Sequence, residues 1–281
     1  MAPGAMCYVE DLTPLALEWY RLSRSLCRSF DDFRTSWPYL RIARASSAVK
    51  AGAQTRASWP GELFADGDKR IAIAGAGDAD LLALVARSFK GRAAEIVAID
   101  RCATPLRLCI DFAERWLLPL ETLQLGLVNF EIAGRFDIVL VHSLLAFISA
   151  ECRIDVLWRP RRSLRREGQL VIKFNTGRPI ADARPGYRYA EAIVKELEGP
   201  GVSLPESRET FLSRLDVFGS TQAARDVAFE NFHDVEELLE AARYIVGERT
   251  HIESNRTEAF GYRGDVARQG YFAVARSAGP A

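Results

Sequence analysis

The chain lacks most of what marks a specialised protein class. It has no surplus charge, since 37 Lys and Arg stand against 37 Asp and Glu in 281 residues. A nucleic-acid-binding domain usually carries a basic excess for the phosphates, so no nucleic-acid partner is expected. Histidine is scarce, with three residues at 142, 233 and 251. The five cysteines, Cys7, Cys27, Cys102, Cys109 and Cys152, form no Cys-x-x-Cys pair. A structural zinc site wants closely spaced ligand pairs, so the expectation is no metal and the reduced thiols of a cytoplasmic protein. In "MAPGAMCYVEDLTPLALEW" no basic cluster precedes an apolar run, and no signal peptide is expected. No uninterrupted apolar run reaches the ~20 residues of a membrane span, so no membrane partner is expected either.

What is present is an ordinary globular balance, with 48% hydrophobic and 26% charged residues. The length suffices for one large domain or two small ones. Residues 10–50 read as helices, with Leu12, Leu15, Leu17, Trp19, Leu22 and Leu26 near helical spacing and Asp31 as a candidate cap of a second segment. From Lys69 the rhythm changes, and short apolar runs alternate with helical patterns. Strands are expected at 70–75, 95–100, 123–127, 136–142 and 168–174, with helices at 78–89, after Thr104 as N-cap, and over about 149–166 with Pro160 inside. Continuous apolar strands separated by helices imply a parallel sheet covered on both faces. Such sheets bind ligands at the carboxyl ends of their strands. After Asn175 come amphipathic helices with Gly and Pro punctuation, and then strand-like "RYIVGERTHIE" and "GYFAVARS".

The stretch "RIAIAGAGDADLL" places Gly75 and Gly77 between a strand and a helix. Glycine tolerates positive φ and lets a ligand approach the backbone, and the free N–H groups of a helix start favour an anion or phosphate. Asp100 ends the next strand, 23 residues beyond Gly77. A carboxylate there can accept both hydroxyls of a ribose, which points to a nucleoside ligand. Read as the dinucleotide pattern G-x-G-x-x-G, the third glycine would be Asp80, a charged residue where close helix–strand packing is needed. Read as G-x-G-x-G, the third place is Ala79, which is small and fits better.

On these residues the sequence resembles the class I S-adenosylmethionine-dependent methyltransferases. "IAIAGAGDA" (71–79) stands as the nucleotide-binding motif, "VAID" (97–100) as the second, "GRFDIVLVHSLLAF" (134–147) as the fourth strand and "LRREGQLVIK" (164–173) as the turn into strand five. The resemblance covers roughly 60–277. It implies a Rossmann-like α/β fold with a seven-stranded, mostly parallel sheet and an antiparallel last strand. Residues 1–60 would then be an N-terminal helical extension or lid, and 61–281 the methyltransferase-like domain, with a helical insertion at about 180–232. It implies S-adenosyl-L-methionine as cofactor, held by Gly75, Ala76, Gly77, Asp100, Arg101, Gly126, Leu127 and His142. It departs from the family at Ile73, where an acidic residue is common, and at Gly126, the place of an aspartate that contacts the adenine amine. Arg166-Glu167 also replaces Pro-Gly before strand five.

Several residues keep two readings. His142 is either a general base near neutral pH or a structural histidine. Phe130 and Glu131 border the adenine or belong to an ordinary loop. "RPRRSLRR" (159–166) is a solvated helix face or a patch for acidic partners. Trp19, Tyr20, Trp37 and Tyr39 pack a core or wall a lid. The expected function is methyl transfer to an O or N atom of a small-molecule acceptor. The alternatives are a non-catalytic binding or scaffold protein of the same fold and, third, a nicotinamide-dependent oxidoreductase. Whether the chain forms a homodimer stays open.

Overall fold

The unbroken apolar runs at 71–74, 96–99 and 138–141 are buried throughout, as strands covered on both faces require. In a computed structural model of the chain they form the centre of a sheet. The structure describes residues 15–26, 36, 38–40, 42–43, 69–77, 79–88, 94–142, 144, 148, 150–176, 187–198, 201–217, 240, 250–253 and 269–276. The strands are β1 (Lys69–Ala74), β2 (Ala94–Asp100), β3 (Leu120–Gln124), β4 (Phe136–His142), β5 (Leu164–Thr176), β6 (Thr250–Glu253) and β7 (Gln269–Arg276). The helices are α1 (Ala16–Leu26), α2 (Asp80–Ser88), α3 (Ala103–Trp116), α4 (Ala150–Arg162) and α5 (Tyr187–Glu198). Residues 208–217 are helical too.

The chain divides into two compact units. Met1–Ala57, Pro179–Ala228 and Phe260–Val266 form one, and Ser58–Arg178, Phe229–Ala259 and Ala267–Ala281 the other. The second unit carries the sheet, in the order β3-β2-β1-β4-β5-β7-β6. The first five of these pair in parallel, so the α/β class with a Rossmann-like parallel sheet holds. β7 pairs antiparallel with β5 on one side and β6 on the other. Alternate residues of β1, β2, β4 and β5 (Ala72, Ala74, Val97, Ile99, Val139, Val141, Leu170 and Ile172) share one face with Leu157 of α4 and the stacked rings of Phe130 and Phe136. Burying each large apolar side chain contributes roughly 1.5–3 kcal/mol.

At the amino ends of the parallel strands, charged side chains join neighbours. Arg70 of β1 pairs with Glu95 of β2 at 3.3 Å and with Glu121 of β3 at 2.9 Å. Its backbone N–H donates to Asp137 of β4 at 2.8 Å, and Asp137 pairs with Arg165 of β5 at 3.1 Å. Among the described residues no helix is long and apolar enough to cross a membrane.

Four expected boundaries shift, the first being the helix expected over about 149–166, which ends at Arg162. Strand three runs Leu120–Gln124 rather than 123–127. It is an edge strand with polar alternation, which hides it beside the more apolar residues that follow. β5 begins at Leu164, four residues before the expected 168, because a bulge interrupts its pairing with β4. The N-cap of α3 is Cys102, not Thr104. Thr104 lies inside the first turn and is buried.

In the other unit, α1 buries Ala16, Trp19, Tyr20 and Ser23, the i, i+3, i+4 and i+7 face of a helix. Tyr39 is buried edge-on against Tyr20 at 6.1 Å and Phe211 at 5.0 Å. The Tyr20 hydroxyl donates to Glu206, which also accepts from Arg24 at 3.3 Å and Arg214 at 3.1 Å. Trp19, Tyr20 and Tyr39 are therefore core residues of this unit; Trp37 and the expected cap Asp31 lie outside the described residues.

Candidate functional site

The bend after β1 is tied to the end of β2. Gly75 adopts φ +76° and Gly77 φ +67°, both in the left-handed region that favours glycine. The N–H groups of Gly75 and Ala76 both donate to the carbonyl of Ile99, at 2.8 and 3.3 Å. One residue on, the Gly77 N–H donates to Asp100 Oδ2 at 3.4 Å. Oδ1 of the same carboxylate accepts the Cys102 N–H at 2.9 Å. Asp100 is only 7% exposed. A buried carboxylate demands hydrogen-bond donors, and here two backbone amides fix its direction.

The exit of β3 joins the same cluster. The Leu125 N–H donates to the Asp100 carbonyl at 2.9 Å, and Gln124 Nε2 donates to the Arg101 carbonyl at 3.4 Å. Gly126 follows at φ −77°, ordinary extended backbone. A Cβ built there would lie 3.9 Å from Arg101 Cβ and 3.8 Å from Val128 Cγ2, ordinary contact distances. Leu127 opens the short 3-10 helix Leu127–Asn129 and is half-buried. Sheet order thus brings Gly75, Ala76, Gly77, Asp100, Arg101, Gly126 and Leu127 to adjacent carboxyl ends of β1, β2 and β3. In open α/β sheets ligands bind outside the carboxyl ends of the strands.

The two glycines differ in surroundings. Around Gly77 a Cβ would meet nothing within 4 Å among the described residues. At Gly75 it would meet Leu144 Cδ1 at 3.1 Å and Cδ2 at 3.2 Å. So Leu144, two residues past β4, lies over the first glycine and, among the described residues, not over the second. Sequence reading passed over Leu144, although parallel pairing of β1 with β4 places that loop beside the bend. Cys102, whose amide holds Asp100, was passed over as well; its place two residues after a strand-end aspartate is the signal for that turn.

His142 is the last residue of β4 and pairs with Lys173. In register it stands one residue beyond the Ala74–Val141 level, where the glycine bend begins. Phe130 is buried and stacked on Phe136 at 6.2 Å, so its ring packs in the core. Glu131 pairs with Arg159 at 2.7 Å. Ala79 is buried, so a small residue is what that position needs for close packing of α2 on the sheet.

No family model matches the sequence. No curated protein matches it either. Solved structures do. The chain is similar to an O-methyltransferase family protein from Burkholderia thailandensis, at TM-score 0.51 and 15% identity over 97% of this chain and 72% of that one. It is also similar to a possible exported protein from Bordetella parapertussis, at TM-score 0.50 and 11% identity over the whole of both chains. A third is the 1,6-didemethyltoxoflavin-N1-methyltransferase of Burkholderia thailandensis, crystallised with S-adenosylhomocysteine, at TM-score 0.48 and 17% identity over 99% of this chain and 92% of that one. The fold of this chain is that of the class I S-adenosylmethionine-dependent methyltransferases.

Proposed function

We propose that the protein is an S-adenosylmethionine-dependent methyltransferase that acts on an oxygen or nitrogen atom of a small-molecule acceptor. The observation that carries this reading is Asp100. It is a buried carboxylate at the carboxyl end of β2, fixed by the amides of Gly77 and Cys102 beside the left-handed glycine bend. A carboxylate placed at this strand end can accept both hydroxyls of a ribose diol. The residues present therefore fit a nucleoside cofactor. Gly75, Ala76, Gly77 and Asp100 would hold its sugar and tail, and Arg101, Gly126 and Leu127 would flank its base.

When bound, S-adenosylmethionine supplies an electrophilic methyl on a sulfonium. The chain's own share is to bind, orient and exclude water. Leu144, over Gly75, contributes an apolar wall on the β4 side of the bend. His142 at the end of β4 is the candidate base for an acceptor that must lose a proton.

The sheet order also supports this reading over a nicotinamide-dependent oxidoreductase. β7 enters antiparallel between β5 and β6, whereas a doubly wound dehydrogenase sheet continues in parallel. A non-catalytic role draws support from Gly126, which offers no side chain to a base. The test is incubation with methyl-labelled S-adenosylmethionine and a panel of small hydroxyl and amine acceptors. Label in a product is expected, with loss of turnover at neutral pH and partial recovery at high pH in His142→Gln. Cofactor binding without label in any product favours the non-catalytic role.

A further inference from the structure

We propose that the arginine-rich corner between α4 and β5 is a docking surface for an acidic segment of a partner protein. From 159 to 167 the chain carries Arg159, Arg161, Arg162, Arg165 and Arg166 against Glu167 alone, in a protein whose total charge balances to zero. The corner is tied to the start of β4 by hydrogen bonds. Gly134 N–H donates to the Arg162 carbonyl at 3.1 Å, and the N–H groups of Arg135 and Phe136 donate to that of Ser163 at 2.8 and 2.9 Å. The Ser163 hydroxyl closes the helix end on the Pro160 carbonyl at 2.6 Å.

The register then forces the next residues outward. Phe136 faces Leu164 and Ile138 faces Gln169, so two steps along β4 match five along β5. The surplus residues bulge, with Glu167 at φ +64°. Gly168 is the pivot, because a Cβ there would lie 2.9 Å from the Arg165 carbonyl oxygen and 3.1 Å from that of Phe136. Arg165, Arg166 and Glu167 are exposed as a result.

Two of the five cations are spent, Arg159 on Glu131 at 2.7 Å and Arg165 on Asp137 at 3.1 Å. Arg161 lies over the ring of Trp158 at 4.6 Å, and that indole is 40% exposed. Arg162 and Arg166 are exposed and have no carboxylate partner among the described residues. Trp158, Arg161 and Arg162 sit at i, i+3 and i+4 on one helix face. Last-turn arginines also complement the helix dipole, but that role explains neither Arg166 on the bulge nor an exposed tryptophan. A half-open indole under one guanidinium group, with further arginines on the same corner, has the composition of an interface centre. A protein segment fits better than nucleic acid, because the balanced total charge supplies no long-range pull on a phosphate chain. The corner lies at the amino ends of β4 and β5, away from the glycine bend, so a docked partner leaves the candidate site clear.

The test is fluorescence anisotropy with a labelled synthetic peptide of alternating glutamate and leucine, on the full chain at low and physiological salt. The wild type should bind, more tightly at low salt. The double reversal Arg162→Glu, Arg166→Glu should weaken binding at least about tenfold, and Trp158→Ala should weaken it too. Arg107→Glu, an exposed reversal on α3, should leave binding unchanged. Thermal melting of each variant separates lost binding from lost folding. Absence of binding by the wild type, or equal binding by the reversed and wild-type proteins, overturns the proposal. So does a labelled oligouridylate that binds more tightly than the peptide and displaces it.

Discussion

Gly75 and Gly77 hold the same left-handed backbone, at φ +76° and +67°, yet a methyl group added to each would meet different neighbours. Alanine at either place bears the left-handed cost of about 1–2 kcal/mol. At Gly75 it also pushes on Leu144, only 3.1 Å from the new carbon. Gly75→Ala should therefore lower stability more than Gly77→Ala, and Leu144→Ala should recover part of that difference in a double-mutant cycle. Urea melts of the four variants check this, and equal losses at the two glycines would show that Leu144 does not press on the bend. A second residue-scale prediction concerns Glu206. Burial pushes its carboxyl up, but hydrogen bonds from Tyr20 and Arg214 outweigh that and hold it below its ordinary value. A carboxyl lowered in the fold contributes stability above its unfolded value and loses it as pH falls through the folded one. Glu206→Gln should thus lower the melting temperature at pH 7, with the gap to wild type closing below about pH 4. A gap that stays constant with pH contradicts it.

Helix α3 ends on an unusual residue. Leu117 takes the left-handed cap position at φ 53° while 90% exposed, and the Leu118 N–H closes on the Ala113 carbonyl at 2.9 Å. Glycine is the usual residue there. Because Leu117 buries almost nothing, Leu117→Gly should raise stability by about 1 kcal/mol, and a lowered melting temperature would contradict it. The elements also show why parts of the fold were legible. β1, β2 and β4 are covered on both faces, so each reads as an unbroken apolar run. β3 lies at the sheet edge and carries Glu121 and Gln124, so its pattern is polar and its true start was missed. The start of β5 was hidden by arginines on a bulge, a feature of pairing with β4 and not of local sequence. Thr104 looked like a cap because sequence shows the hydroxyl, but not that Asp100 already takes the Cys102 amide.

At the scale of the whole molecule, sheet order assembles the candidate site. Residues 75–77, 100–102 and 124–127 are distant in sequence and meet because β1, β2 and β3 are neighbours with a common direction. The pairing of glycines and aspartate was legible because each sits where an apolar run stops, at a spacing set by one helix and one strand. Leu144 was not, since its role depends on β4 lying beside β1. The most direct measurement is calorimetric titration of S-adenosylhomocysteine into the wild type and Asp100→Ala, with melting curves to show that both are folded. The account predicts saturable one-site binding by the wild type, weakened at least about tenfold in the variant, as loss of a charged hydrogen-bond acceptor implies. Absence of binding by the wild type, or equal binding by both proteins, would contradict it.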